Sequence, residues 1–474
     1  MLAASLLSLM IASPFEGALD PKEPLTIEAA TEYALKYSLD MFQARQDVLL
    51  VDADYATVLS VIMPSVDLSI NAGGFHWNNR IIETRDVAQS VRQPNELPTT
   101  EFGPFRDFRS GSFTNSEFGL QLSAQQLIYD GGRWWTAISL VRDRKEASKE
   151  TLRAVENSVR AAVARAFYGL ERARRSTEAI DAQVEVDRAQ VKRAKAMLQI
   201  GRGAPNDVVT ALRNLASDRS TLIGTQTAEG QANRALNLVI GRRIEIENRI
   251  VMPPSVASST AARRYVPGIQ RLKELAQNNR PELQSARLLL DAARKEITME
   301  RGDYYPAVSM FATYNRNSRR PDRIFDDPSN NFTANFGFSM AWNLFRGLST
   351  NAAVQRAQIN MRKLQGDYVL LERQAMSEVA DSLQRLKNQE RTLQEAIQQI
   401  DAAEEAVRLA RGLYEAGRGT SLELRDAELG LTRARLARVN AILDAAIAHA
   451  DLVQAVGSAE WATQESSAKP SVVN

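Results

Sequence analysis

From Phe332 to Leu344 the chain alternates strictly. Phe332, Ala334, Phe336, Phe338, Met340, Trp342 and Leu344 fall on one face, and Thr333, Asn335, Gly337, Ser339, Ala341 and Asn343 on the other. A period of two predicts a strand. Its length, apolar outer face and polar inner face suit a strand that crosses a bilayer in a barrel, and equally a half-buried sheet in a soluble sandwich. A shorter echo sets Phe118, Leu120 and Leu122 against Gly119, Gln121 and Ser123. Partner strands are expected from Val66 and Val308, giving two hairpins. Elsewhere the period is helical. Residues 133–200 contain no proline and one glycine, Gly169, and residues 348–416 again contain no proline. Helices of that length run roughly 100 Å at 1.5 Å per residue, too long for a globular core. Their apolar positions are sparse and often alanine, which favours close packing in a coiled-coil-like layer. Shorter helices are expected at 39–63, before the first strand, and at 206–240, returning from the first long helix. Pro281 suits the first turn of another helix.

The pattern occurs twice. Ile200-Gly201-Arg202-Gly203-Ala204 and Ala416-Gly417-Arg418-Gly419-Thr420 lie 216 positions apart, as do Gly131 and Gly347, Leu215 and Leu431, and Gly241 and Gly457. An offset of 242 pairs Ala44-Arg45 with Ala286-Arg287 and Pro64 with Pro306. The difference places 26 extra residues between Pro64 and Gly131, within a loop expected at 73–115 and matched by a shorter one at 315–331. The chain is therefore read as two copies of one unit, 25–241 and 267–457, joined by a linker or equatorial segment, 242–266, with a disordered tail at 458–474.

Composition narrows the function. Cysteine is absent and only two histidines occur, which excludes disulfides, thiolate chemistry and histidine-rich metal sites. No cofactor is expected, and no nucleophile–base pair suggests an enzyme. The net charge of +2 exerts no bulk pull on nucleic acid. Residues 1–18 resemble the apolar part of a secretory signal, with no preceding Lys or Arg. No run of 18 apolar residues follows, so no ordinary membrane-spanning helix is expected.

Several short motifs, in this order, carry a resemblance. They are Leu25-Thr26-Ile27-Glu28-Ala29-Ala30, the Pro64 and Pro306 junctions, Leu127-Ile128-Tyr129-Asp130-Gly131-Gly132, Asn279-Arg280-Pro281-Glu282-Leu283, Asn343-Leu344-Phe345-Arg346-Gly347 and the two Gly-x-Gly turns. Over about residues 25–458 the chain resembles the TolC-like outer membrane efflux protein family. The resemblance implies a mostly α fold with a small β part: a long coiled-coil α-helical barrel continuing a transmembrane β-barrel, with four strands per chain and twelve in a homotrimer. It also implies an outer-membrane location with a periplasmic tunnel, and a role in tripartite efflux or type I secretion. The implied partners are a periplasmic adaptor (membrane fusion) protein, an inner-membrane transporter and outer-membrane lipid.

The same resemblance suggests sites. The tip turns Gly201, Arg202, Gly203, Gly417, Arg418 and Gly419 are candidates for adaptor docking, against plain helix termination. Asp207, Tyr414, Glu423 and Asp426 match the periplasmic gate region; the alternative for the carboxylates is a favourable first helical turn. A tip arginine of the family falls where this chain has Gly419, so Arg418 is one position off. Phe332, Phe336, Phe338, Met340 and Trp342 are candidates for the lipid-facing strand. Tyr129, Trp134, Trp135, Trp342 and Phe345 suit either an aromatic belt or core packing. Two rival functions remain on the residues alone: a long coiled-coil scaffold, which leaves the strands without a role, and a periplasmic adaptor, which lacks the duplication.

Overall fold

A computed structural model describes residues 24–80, 110–201, 203–253, 266–318, 332–416 and 418–458, apart from the side chains of 74–80, 110–117 and 421. The expected signal segment, much of both strand-connecting loops, part of the linker, Arg202, Gly417 and most of the tail lie outside the described residues. The chain divides into two compact units. One comprises Ala56–Ile138 and Glu296–Gln355; the other comprises the described parts of 1–55, 139–295 and 356–474.

The first unit is built on a four-stranded antiparallel meander in the order β1-β2-β3-β4, comprising β1 (Ser65–Arg80), β2 (Ser110–Asp130), β3 (Ala307–Ser318) and β4 (Phe332–Ala341). Both expected hairpins form. The first is longer than expected, because β1 and β2 stay paired out to Arg80 and Ser110. β3 likewise extends to Ser318, so Arg316 is a strand residue rather than part of a loop.

β4 stops short of the 13-residue expectation. Its last pair is Ala341 with Ala307. The next residue on β3's side is Pro306, which has no N–H to extend the ladder. Trp342 therefore lies beyond the strand, and its indole N–H donates to the carbonyl of Tyr304 at 3.1 Å.

At the end of β2 the Asp130 carboxylate accepts the Trp134 backbone N–H, at 3.0 and 3.3 Å to its two oxygens, and so caps the helix that follows. Gly131 between them has φ +74°, and a Cβ there would collide with the carbonyl oxygen of Gly302. The Asp-Gly motif is thus a strand-to-helix corner that only glycine fits.

The helices follow the two offsets closely. α3 (Arg133–Gln199) and α7 (Ser349–Glu415) each have 67 residues, and α4 (Pro205–Ile240) and α8 (Ser421–Val456) each have 36, every boundary shifted by 216 positions. α1 (Ile27–Tyr37) and α2 (Leu39–Ser60) break at Ser38, as α5 (Ile269–Asn279) and α6 (Pro281–Arg301) break at Arg280, 242 positions on. α2 ends at Ser60 and a turn covers the next residues, so it is shorter than the expected 39–63.

Within the helical unit the core is local. Phe167 of α3, Leu236 and Ile240 of α4, Met41 of α2, Ala34 of α1 and Leu443 of α8 form one buried cluster. Leu272 and Ala276 of α5 meet Val379, Leu383 and Leu386 of α7 and Leu452 and Val456 of α8 in another. The segment after α4 is pinned to this unit. Leu25 N–H donates to Arg249 at 2.7 Å, Val251 N–H donates to Leu25 at 3.0 Å, and the Asn233 and Asn237 amides both donate to Ile246 O at 2.7 Å.

Leu422–Val456 is long and apolar enough to pass as a membrane span. Yet Leu443, Ala448, Leu452, Ala455 and Val456 are buried in the two clusters, so their apolarity is already used within the protein.

Candidate channel site

The strand register sorts the sheet's side chains onto two faces. Leu68 pairs with Leu122, Leu122 with Tyr314 and Tyr314 with Ala334; Val66 pairs with Ala124, Ala124 with Ala312 and Ala312 with Phe336. This face is mostly apolar on every strand, with Gln126 of β2 and the buried Arg316 of β3 as its polar members. Several of its residues are strongly exposed: Ile70 by 69%, Phe336 by 88%, Phe338 by 73% and Met340 by 63%. Phe332 joins it, its ring stacked on Tyr314 with centroids 5.8 Å apart. The opposite face carries Asp67, Ser69 and Asn71 from β1, Gln121, Ser123 and Gln125 from β2, Thr313 and Asn315 from β3, and Thr333, Asn335 and Ser339 from β4. One mostly apolar and one hydrogen-bonding face is the division that a membrane-barrel strand set requires. Trp342 is 56% exposed but hangs from the turn beyond β4. Among the other candidate aromatics, Trp134 and Trp135 stack at 3.8 Å, with Trp135 and Phe345 exposed.

The two helical hairpins turn at their expected glycines. Gly201 has φ +72° after α3. At the second turn the Arg418 and Gly419 N–H groups return to Leu413 O at 2.9 and 3.0 Å. Cβ atoms at Gly203 and Gly419 would press on the preceding helices at 3.0 and 3.1 Å, so both turns are tight reversals.

The carboxylates beyond the turns act as helix caps. Glu423 accepts from Thr420 N–H at 2.9 Å while Thr420 Oγ1 accepts from Glu423 N–H at 3.2 Å, a reciprocal capping box. Asp207 makes half of that motif, accepting from Ala204 N–H at 3.2 Å, because alanine offers no side-chain acceptor. Asp426 is exposed and Tyr414 is half-buried in the last turn of α7. Among the described residues no hydrogen bond joins Asp207, Tyr414, Glu423 and Asp426 to one another.

A different set of charges does converge, and the sequence reading missed it. Arg425 of α8 donates to Asp187 of α3 and to Asp218 of α4, at 3.3 Å in each case. Asp187 is 1% exposed and also accepts from Gln183 at 3.3 Å. Burial, reinforced by the nearby Asp218 carboxyl, pushes Asp187 up to about 6 despite the opposing pull of Arg425. Nothing local marks it: Asp187 stands in Glu185-Val186-Asp187-Arg188, beside charged residues that face solvent.

A meander with an apolar outward face, together with two long helical hairpins of matched length, defines the protomer of an outer-membrane channel with helical extensions. The chain belongs to the outer membrane efflux protein family, whose model matches residues 31–242 and 272–458. It is similar to the alkaline protease secretion protein AprF of Pseudomonas aeruginosa, with 25% identity over 344 residues, 70% of this chain and 67% of that protein. It is also similar to the outer membrane efflux protein BepC of Brucella suis, with 21% identity over 358 residues, 75% of this chain and 74% of that protein. Among solved structures, the CmeC outer membrane channel of Campylobacter jejuni shares the fold. Its TM-score is 0.74 at 16% identity, covering 91% of this chain and 85% of that one. The protein is thus an outer-membrane channel of the efflux and secretion type.

Proposed function

We propose that three copies of this chain close into one duct that receives cargo from an inner-membrane transporter through a periplasmic adaptor and releases it outside the cell. The observation that carries this reading is the open sheet. Among the described residues β1 and β4 each pair on one side only, while much of the mostly apolar face they share is exposed. Unpaired strand edges are not tolerated in hydrocarbon, so four strands need more strands to close. Three chains supply twelve, the count that the family resemblance implies.

In this reading Phe332, Phe336, Phe338 and Met340 face acyl chains, with Trp342 at the rim. The tight turns around Gly201 to Gly203 and Gly417 to Gly419 dock the adaptor. Asp207, Glu423 and Asp426, with Tyr414, line the periplasmic mouth, where threefold symmetry repeats each carboxylate as a ring that attracts cations. The two repeats, 25–241 and 267–457, supply one hairpin of strands and one of helices each. Native mass spectrometry of the detergent-purified protein, combined with planar-bilayer conductance, tests the reading. It expects a three-chain mass and ion-conducting steps; a monomer that stays soluble without detergent overturns it.

A further inference from the structure

We infer that the open edge of β4, continued through Trp342 to Arg346, pairs with β1 of a second copy in one definite register: Met340 opposite Ile70, Trp342 opposite Leu68 and Phe345 opposite Val66. The inference rests on the reading that several copies close one duct, and it adds which residues meet at each seam.

The two hairpins carry one pairing rule twice. Val66 pairs with Ala124 in the first, and Val308 with Met340 in the second. The first strand has moved by 242 positions and the second by 216. Leu68–Leu122 becomes Met310–Phe338 and Ser65–Gln125 becomes Ala307–Ala341 in the same way. The hairpins are therefore repeats in register as well as in sequence. The seam between them, β2 against β3, is a template for the seam with the next repeat. Moving β2 forward by 216 gives β4, and moving β3 back by 242 gives β1. Ala124–Ala312 then becomes Met340–Ile70, Gln126–Met310 becomes Trp342–Leu68, and Tyr129–Val308 becomes Phe345–Val66. β1 and β4 lie at opposite ends of the four-stranded sheet. Four strands are too few to curl onto themselves, so the β1 that meets β4 belongs to another copy.

The template also accounts for the shortness of β4. β2 reaches Asp130 because its last residues pair with β3 alone; its ladder with β1 begins at Gln125. The repeat-equivalents of those last residues, Trp342 to Arg346, have no such neighbour among the described residues and form no strand. They are nevertheless held as their counterparts are. The Gln126 amide donates to Ile62 O at 3.2 Å, and the Trp342 indole donates to Tyr304 O at 3.1 Å, two bonds related by the same two offsets. Gly131 and Gly347, which close the two segments, have φ +74° and +59°. Leu344 falls at the position of Ile128, which is passed over where the β2–β3 register shifts.

The chemistry of the two edges agrees with this register. Met340, Trp342 and Phe345 on one edge and Ile70, Leu68 and Val66 on the other are all exposed and apolar. On the opposite face Ser339 meets Asn71, and Asn343 meets Asp67, polar against polar. A slip of one residue would set the apolar row of one strand against the polar row of the other. A slip of two keeps the faces matched but abandons the spacing that the β2–β3 seam follows.

Cysteine pairs test the register, because the chain has no cysteine of its own. Met340→Cys with Ile70→Cys, and Ala341→Cys with Ser69→Cys one step along on the other face, are introduced into the full-length protein in detergent. Directly opposed residues lie within disulfide reach, and residues displaced by two lie beyond it. Oxidation is expected to link chains covalently into twos and threes on a denaturing gel. The yield should match that of Ala124→Cys with Ala312→Cys, which are opposed within one chain. Met340→Cys with Leu68→Cys or with Ala72→Cys should link at roughly one tenth of that yield or less. A slipped pair that links as well as the aligned pairs, in protein whose native mass is that of three chains, overturns the register and leaves the duct reading standing. Aligned pairs that fail to link chains overturn it as well; if the native mass is then that of one chain, the duct reading falls with it.

Discussion

The strand unit and the helical unit use the same kinds of residue to opposite ends. In the sheet the largest apolar side chains point outward, with Phe336, Phe338 and Met340 among the most exposed residues described. In the helices some large side chains, such as Phe167 and Leu452, are wholly buried while others, such as Leu238 and Ile223, stand exposed, and the surface is laced with ion pairs such as Arg165–Asp451 and Lys145–Asp52. In the proposed reading the sheet's outer face meets hydrocarbon, whereas the helices bury part of their apolar surface in local clusters and carry a charged surface.

Several substitutions sharpen or break that contrast. The largest effect is expected from Phe338→Arg, at a cost of about 2–4 kcal/mol per chain where the strand crosses the middle of the bilayer. Folded protein recovered from outer membranes should fall sharply, while Asn335→Arg on the polar face should leave recovery near wild type. Equal losses from both would break the two-face assignment.

Phe167→Ala, in the helical core, should cost about 3–5 kcal/mol, read as a lowered unfolding midpoint. An effect below 1 kcal/mol would mean that α3 is held by something other than its buried stripe.

At the corner between the regimes, Gly131→Ala should destabilise by about 2 kcal/mol or more, since positive φ and a backbone collision combine there. Gly132→Ala has positive φ but open space around it, and should cost only about 1 kcal/mol.

The smallest effects belong to the helix starts. Thr420→Ala should cost about 1 kcal/mol by removing one half of the capping box. Ala204→Ser should gain about 0.5–1 kcal/mol by completing the other hairpin's half-made cap. Hydrogen exchange in the first turns of α4 and α8 reads both changes.

The sequence exposed the parts of this architecture that depend on neighbours along the chain. Period-two alternation marked β4, and the 216 and 242 offsets anticipated matching helix boundaries to the residue. The Gly131 corner and the turns at Gly201 and Gly419 were also legible, because glycine there answers a local backbone demand. Strand ends were read less well. β4 was carried to Leu344 because Trp342 and Leu344 continue the alternation, whereas Pro306, just before β3 and more than 30 residues earlier in the chain, ends the ladder at Ala341. Alternation describes one strand, and pairing requires two.

The helix-start position of Asp207 and Glu423 was visible as the alternative to gating, through the helix dipole; the hydrogen bonds by which they cap those starts were not. The convergence of Asp187, Asp218 and Arg425 was not visible at all. Its members are 31 and 207 residues apart, and each stands among charged residues that face water. Sequence by itself determined most of the elements and their duplication, because those follow from the periodicity of contiguous side chains. Tertiary structure alone decided where pairing stops and which charges are buried together, because both depend on distant segments converging and excluding water from the space between them.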